Sequence, residues 1–504
     1  MKNYTKYIMA GVLLISLSVS GCKKSFLDQT PEASLPGVNF YKTETDIKQA
    51  VSGAYSSISD MGRVNYWLFG EMRSDNTTYQ YNPADRGSEQ REFMDQFLIG
   101  ATAEPLQGYW QQNYTGILRC NEILTRIADV PMSAEMKNQY TGEALFLRSF
   151  HYFNLVRQFG GVPLRLTPSQ SPADSRSKGR ASAEDIYTQI ITDLNISATS
   201  LPVKYTSAEA GRATQGASLS LLAKIYLTQK KFSEALVALR KVQQLSYSLV
   251  PVYKDIFLPA NKNNSESVFE IQYLGSQPGL SSDFLYQFAP WSSGSMVTGD
   301  PATSLNGSSG WNIPTQDMIN AYETGDLRKD ASLAEGFTDA GGKFVNIPYV
   351  KKYNHGIVDR GRTNDNFPVI RYADVLLMIA ECLNEQGFAA GGEQFTLLNQ
   401  IRTRAGLPAK TPGNPIAALS VDSQQGFRDA ILQERRVELA FENHRWYDLV
   451  RSGKAVEVMA AHGQYEIAHK SYIPSGSYLL NANKLLLPIP QREVNLDNLT
   501  QNPQ

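Results

Sequence analysis

The sequence predicts a mainly α-helical protein with a large loop-rich insertion that carries short β elements. Outside the insertion, apolar residues recur at steps of three and four, which is the period of an amphipathic helix. Residues 247–370 break this pattern with Gly, Ser, Asn and Pro and with a β-prone run at residues 267–273. Two helical blocks therefore flank one irregular region.

The composition is that of a soluble globular chain without an electrostatic bias. Its 504 residues include 48 basic and 49 acidic side chains, which gives no argument for nucleic acid or for an anionic surface as a partner. Aromatic residues make up 10 % of the chain, and rings at this density are suited to a recognition surface as well as to a core.

Residues 1–21 are predicted to be a signal peptide. Lys2 and Lys6 precede an apolar run at residues 8–19, which is too short to span a bilayer. The small residues before Cys22 resemble a bacterial lipoprotein signal, which implies cleavage before Cys22 and lipidation of this residue. The alternative is an ordinary secretory signal that contains a cysteine. Residues 22–38 are then a polar tether to the lipid anchor.

The first helical block begins after the tether. Thr43 or Thr45 is expected to cap a helix whose apolar face includes Ile47 and Ile58. Residues 61–104, rich in Gly, Asn, Asp and aromatic side chains, predict a long loop region with short helical pieces. Helices return from Leu106, at residues 133–159, and after Ser182, where the spacing to Asp185 is typical of a capping box.

Two stretches predict paired helices of the tetratricopeptide type. Residues 215–244 place large and small apolar side chains at the offsets of that repeat, and a similar unit begins at Arg371. Within the insertion, only residues 314–322 predict a helix, with Thr315 as a candidate cap.

The most charge-dense stretch, residues 431–454, predicts a helix with an acidic line. Glu434, Glu438 and Glu442 recur every four residues, a spacing that destabilises an isolated helix unless cations neutralise it. Paired catalytic carboxylates are the alternative, but the interleaved arginines favour ionised, structural groups. We expect Arg435, Arg445 and Arg402 as the main partners; other candidates are Arg436, Arg371 and Arg404.

Enzyme and metal signatures were not found. The chain has no HExxH, no pair of CxxC motifs and no GxSxG elbow, and its five histidines lack the spacing of metal ligands. No cofactor, metal site or catalytic residue is predicted. Cys120 and Cys382 are interpreted as small buried residues, although export would permit a disulfide.

Aromatic residues concentrate in the two loop-rich regions, together with Asn, Asp, Arg and Gln. Rings that stack on sugars, beside polar groups that bind hydroxyls, require this mixture, whereas rings that pack loops onto a scaffold require no polar neighbours. We favour binding for the group as a whole.

Several motifs together resemble the SusD/RagB family of outer-membrane nutrient-binding lipoproteins. The resemblance rests on blocks in the family's order: CKKSFLD at 22–28, the first helix after residue 40, EALFLRSFHYF at 143–153 followed by FGGVP at 159–163, RYADVLLMIAE at 371–381, LNQIR at 398–402, RAGL at 404–407, the glutamate line with HRWYDLVR at 444–451, and LPIP at 487–490.

The resemblance implies a scaffold of four tetratricopeptide-like helix pairs. The implied regions are residues 39–246, a ligand-binding insertion at 247–370, and a C-terminal region at 371–504. It also implies a non-enzymatic, surface-exposed lipoprotein that captures oligosaccharides and delivers them to a SusC-like TonB-dependent transporter. Relatives that bind peptides, a surface glycosidase, and a repeat scaffold that binds only protein are the alternatives. The predicted ligand contacts are Asn76, Tyr79, Tyr81, Tyr286, Trp291 and Trp311.

Overall fold

The computed structural model describes residues 40–504 except 85, 87, 88, 170, 177 and 178. The predicted signal peptide, the lipidation site Cys22 and the tether at residues 22–38 therefore lie outside the described residues.

In the part of the N-terminal block that the structure describes, there are nine α-helices and one π-helix. They are α1 (Glu44–Met61), the π-helix (Gly62–Tyr66), α2 (Trp67–Gly70), α3 (Glu89–Asp95), α4 (Glu104–Arg126), α5 (Ala134–Phe159), α6 (Pro172–Arg176), α7 (Ala183–Ser200), α8 (Gln215–Thr228) and α9 (Phe232–Gln243).

The insertion has short helices, and the C-terminal block has longer ones. The insertion contains α10 (Phe284–Phe288), α11 (Ser295–Thr298), α12 (Gln316–Asn320) and α13 (Lys329–Ser332), and the C-terminal block contains α14 (Tyr372–Gln386), α15 (Glu393–Arg404), α16 (Gln424–Glu438), α17 (Arg445–Ser452), α18 (Ala455–His469) and α19 (Gln491–Asp497).

The strands form four small antiparallel pairs. These are β1 (Thr77–Thr78) with β3 (Ile313–Pro314), β2 (Ser267–Ile271) with β8 (Phe367–Arg371), β4 (Leu333–Ala334) with β7 (Tyr349–Val350), and β5 (Phe337–Thr338) with β6 (Phe344–Val345).

The long helices stack as successive pairs. Contacts join α1 to α4, α4 to α5, α5 to α7, α7 to α8, α8 to α9, α9 to α14, and α14 to α15 and α16. The pairs α1/α4, α5/α7, α8/α9 and α14/α15 thus form one array around a continuous apolar core, which confirms the predicted fold class.

Helix starts agree with the local sequence signals. Thr43 and Ser182 both form complete capping boxes, and Thr315 caps α12 by accepting a hydrogen bond from the Met318 amide at 3.0 Å. The strand β2 lies within the predicted β-prone run.

The predicted single helix over residues 431–454 is wrong. The chain leaves helical geometry after Glu438 and resumes it at Arg445, and Phe441 and Asn443 in between both have a φ of +65°. The Glu71 carboxylate holds this turn, because it accepts hydrogen bonds from the amides of Phe441 and Asn443, each at 3.0 Å. Glu442 therefore lies in the turn and not on a helix.

The three glutamates nevertheless reach one buried network of cations. Arg328 contacts Glu434 at 2.6 Å and Glu438 at 3.2 Å. Arg371 contacts Glu438 at 2.9 Å and Glu442 at 2.7 Å. The remaining ion pairs are Arg402–Glu434 at 3.1 Å, Arg404–Glu438 at 2.5 Å and Lys352–Glu442 at 2.7 Å.

The expected partners Arg435 and Arg445 do not bind these glutamates. Arg435 points away from the glutamate face of α16 and contacts Asp374 at 2.7 Å and Asp448 at 2.8 Å. Arg445 binds Asp75 at 2.7 Å. Arg435 projects about 100° away from its neighbour Glu434 around α16, and Arg445 lies beyond the turn, on α17. Arg402, the third expected partner, does bind Glu434.

Loss of Glu438 should destabilise the fold strongly. Glu438→Ala leaves three arginines around an empty buried position, and we expect the free energy of unfolding to fall by roughly 3–5 kcal/mol. Glu393→Ala is the matched control, because its pair with Arg240 at 2.6 Å is exposed and should contribute under about 1 kcal/mol. Denaturant unfolding of both variants measures the difference, and equal losses would contradict a structural role for the buried network.

Candidate functional site

Two loop regions that are far apart in sequence meet on one side of the scaffold. The strand β1 pairs with β3, with Thr77 opposite Pro314. The pairing continues beyond the strands, where the Gln80 backbone N–H donates to the Gly310 carbonyl at 2.7 Å. The residues predicted from both regions to bind a ligand are therefore brought together.

The Gln80 side chain joins the two loops. Its Oε1 accepts a hydrogen bond from the Trp291 amide at 2.8 Å, and its Nε2 donates to Ser292 Oγ at 2.9 Å. Gly310 allows this close approach: it has a φ of +66°, and a Cβ there would lie 2.9 Å from the Gln80 Cβ. The indole of Trp291 is held at its edge, where Nε1 donates to the Tyr81 carbonyl at 3.3 Å.

Trp291 and Tyr286 have the most available rings. Both are partly exposed, and no other ring and no cation stacks on either of them among residues that the structure describes. The Tyr286 hydroxyl donates to Asp300 Oδ2 at 2.8 Å and accepts from the Gly361 amide at 3.1 Å. Burial, and then the bond to Asp300, raise the pKa of Tyr286 to about 12, so the hydroxyl remains a donor at neutral pH.

Tyr81 and Trp311 are partly exposed but already covered by neighbours. Tyr81 stacks on Tyr472, with ring centroids 4.3 Å apart, and the Arg86 guanidinium lies 4.6 Å from the Tyr81 centroid. Trp311 packs against Trp67 at 6.3 Å. A guanidinium, that of Arg91, lies 4.3 Å from the Trp311 ring.

Asn76 and Tyr79 were predicted as ligand contacts, but both side chains are buried inside the protein. They are only 1 % and 2 % exposed. The Asn76 amide donates to Glu71 Oε1 at 2.9 Å and accepts from Arg436 Nε at 2.9 Å, so both of its polar atoms are satisfied inside the protein. These residues fix the loop that carries Gln80 and Tyr81, and they do not reach the surface.

Three residues near the rings were not predicted. Arg86 and Arg91 follow the first loop, and Tyr472 lies in a polar segment after α18. Tyr472 was missed because its sequence neighbours give no aromatic cluster, and only the folded chain places it against Tyr81. The two arginines were missed because a charged residue in a loop is most often a solvated surface group.

A buried carboxyl supports this face from beneath. Asp95 Oδ2 accepts hydrogen bonds from Thr78 Oγ1 at 3.1 Å and from the Tyr478 hydroxyl at 2.9 Å, which ties the segment after α18 to α3. Burial, followed by the nearby charge of Glu466, raises the pKa of Asp95 to about 8, although Lys470 acts in the opposite direction.

This raised pKa predicts a stability that falls with rising pH. Between the unfolded pKa near 4 and the folded pKa of about 8, the folded protein holds a proton that the unfolded chain has released. The contribution of Asp95 is therefore present at low pH and is lost across this window, by up to about 1.4 kcal/mol per pH unit. Asp95→Asn should remove that part of the slope, as measured by denaturant unfolding at pH 5 to 8. An unchanged slope would show that Asp95 is ionised in the fold.

The glutamates of α16 are not arranged as an acid–base pair. Burial alone would raise the pKa of Glu438, but Arg404, Arg371 and Arg328 outweigh it and lower that pKa to about 2. A general acid requires the opposite shift.

Other potential sites lie away from the rings or are incomplete. A cleft of about 660 Å³ is lined by residues of α4 and α19, including Trp110, Tyr114 and Leu496.

Within the described ranges, no group of three His, Cys, Asp or Glu side chains could hold a metal ion, and no helix is long and apolar enough to cross a membrane. Cys120 and Cys382 are buried, as predicted, and both are free thiols.

The chain is similar to known proteins over most of its length. A model of the SusD family matches residues 338–504, and a second model, described as starch-binding and associating with the outer membrane, matches residues 25–227. SusD-like protein P38 of Formosa agariphila is 28 % identical over 486 residues, which cover 91 % of this chain and 94 % of that protein.

Solved structures show the same architecture. A laminarin-binding SusD-like protein is 29 % identical, with a TM-score of 0.74 over 92 % of this chain and 100 % of its own. Surface glycan-binding protein A from Bacteroides fluxus is 25 % identical, with a TM-score of 0.75 over 92 % of this chain and 99 % of its own. Matches at both ends in sequence and along the length in structure show that this chain belongs to the SusD/RagB family.

Proposed function

We propose that this protein is a non-catalytic lipoprotein of the outer-membrane surface that binds a nutrient oligosaccharide or polysaccharide. It delivers that ligand to a SusC-like TonB-dependent transporter for import. The lipid on Cys22 anchors it, and the insertion at residues 247–370 carries the principal part of the binding face, between the helical regions at 39–246 and 371–504. The observation that carries the proposal is the juxtaposition of the uncovered rings of Trp291 and Tyr286 with amide and hydroxyl groups.

The local chemistry supports a sugar as the ligand. A pyranose presents an apolar face that stacks on an aromatic ring and a rim of hydroxyls that need hydrogen-bond partners. The Tyr81 carbonyl holds the Trp291 ring by its edge, and Asn306 donates its backbone amide to the Trp291 carbonyl at 2.9 Å. Ser292 follows Trp291 in the chain, and Asn82 Nδ2 donates to Asn306 Oδ1 at 3.2 Å. The names of relatives support the same ligand class: one is described as laminarin-binding and another as a surface glycan-binding protein.

Family membership supports the proposed partner and location. One matching model is described as associating with the outer membrane. In this proposal, a SusC-like transporter beside the protein carries the bound ligand across the outer membrane.

Trp291→Ala should lower glycan affinity without lowering stability. No described ring or cation stacks on the indole, so its loss should cost about 2 kcal/mol in binding, or roughly thirtyfold in Kd, if it stacks on the ligand. Calorimetry against a panel of oligosaccharides and peptides measures this, and Tyr465→Ala, which removes an exposed ring on α18, is the control. Unchanged affinity would remove Trp291 from the site. Binding of peptides alone would favour a peptide-import function, and hydrolysis of a bound glycan would indicate a glycosidase.

Trp311→Ala should behave differently. Its ring packs against Trp67 and joins the main apolar core, so we expect the free energy of unfolding to fall by roughly 3 kcal/mol, with affinity reduced only as a secondary effect. Thermal unfolding and calorimetry on the same samples separate the two effects. A loss of affinity at full stability would show instead that Trp311 is a direct ligand contact.

A further inference from the structure

Arg91, beside the proposed binding face, forms no ion pair with any residue that the structure describes. It lies on α3, and its guanidinium carbon is 4.3 Å from the centroid of the Trp311 ring. Its Nε is buried and has no hydrogen-bond partner. Across the described part of the chain, no carboxylate lies within ion-pair distance of it.

The nearby Arg86 also lies over a ring, but its charge is paired with a carboxylate. Arg86 also lies over a ring, that of Tyr81, but it forms a two-pronged contact with Glu92, with both distances 2.7 Å. Arg436 and Arg445 beneath this face both bind Asp75. Arg91 therefore differs from these three arginines in keeping its charge uncompensated.

Burial makes that charge costly. Burial lowers the pKa of Arg91, and the charge of Glu104 only partly opposes this from a distance longer than an ion pair. A guanidinium remains protonated in proteins, so the side chain stays cationic, and an anion from outside would compensate its charge.

Arg91 is linked to the loop that holds Trp291 through two contacts. It lies over Trp311, which directly follows Gly310 in the chain, and the Gly310 carbonyl accepts a hydrogen bond from the Gln80 backbone amide at 2.7 Å. The Gln80 side chain accepts from the Trp291 backbone amide at 2.8 Å, so the cation and the open ring belong to the same loop junction.

We infer that the preferred ligand is an acidic glycan, whose uronate carboxylate or sulfate ester binds Arg91 while a neighbouring sugar ring stacks on Trp291. The planar guanidinium matches either anion with two parallel hydrogen bonds. This inference rests on the proposed glycan-binding function and adds the charge class of the glycan.

Matched pairs of oligosaccharides test this inference. Each uronate-containing or sulfated oligosaccharide is compared with its carboxyl-reduced or desulfated counterpart by calorimetry at low salt. We expect the wild-type protein to bind an acidic member at least about tenfold more tightly than its neutral counterpart. If only the uronate pairs differ in affinity, the anion is a carboxylate; if only the sulfated pairs differ, it is a sulfate ester.

Arg91→Gln should abolish the preference, and Arg91→Lys should restore part of it. Arg126→Gln is the control, because Arg126 also lies over a ring, that of Tyr41 at 5.3 Å, but is paired with Glu122 at 2.7 Å. Equal binding of acidic and neutral members, or a preference that survives in Arg91→Gln, would overturn the inference and leave the proposed function standing. Failure of every glycan to bind would overturn both.

Discussion

The buried ionic network around α16 determines how the parts of this protein fit together. Glu438 alone contacts Arg328 from the insertion, Arg371 from the end of β8 and Arg404 from the end of α15. Charges removed from water are stable only when each one finds its partners in good geometry. The network therefore permits essentially one orientation of the insertion on the helical array.

Other charged residues of α16 and α17 position the loop at residues 75–81. Arg436 and Arg445 both hold Asp75, whose pKa is kept well below its ordinary value because these two cations outweigh the effect of burial. Asp75 directly precedes Asn76 and β1. These ion pairs therefore position the start of the loop segment that carries Gln80. Ion pairs to residues of α16 and α17 therefore hold both loops of the proposed binding face.

Local signals in the sequence were sufficient for most of the scaffold, because caps and helical periods depend on residues close in the chain. Thr43, Ser182 and Thr315 were all recognisable in this way. The break after Glu438 was not, since a distant carboxylate, that of Glu71, holds the turn. The site was predictable only as two aromatic-rich regions: whether a ring is buried, covered or open depends on neighbours hundreds of residues away.

The contact between Gln80 and Trp291 has a consequence for exchanging binding specificity between relatives. The insertion cannot be transplanted alone, because the backbone amide of Trp291 depends on a side chain from the first loop. A functional chimera must carry both segments, about residues 76–95 and 284–314, and must keep Asp75 and Arg328 of the recipient as attachment points. For the proposed binding face, specificity is therefore carried by the two segments together.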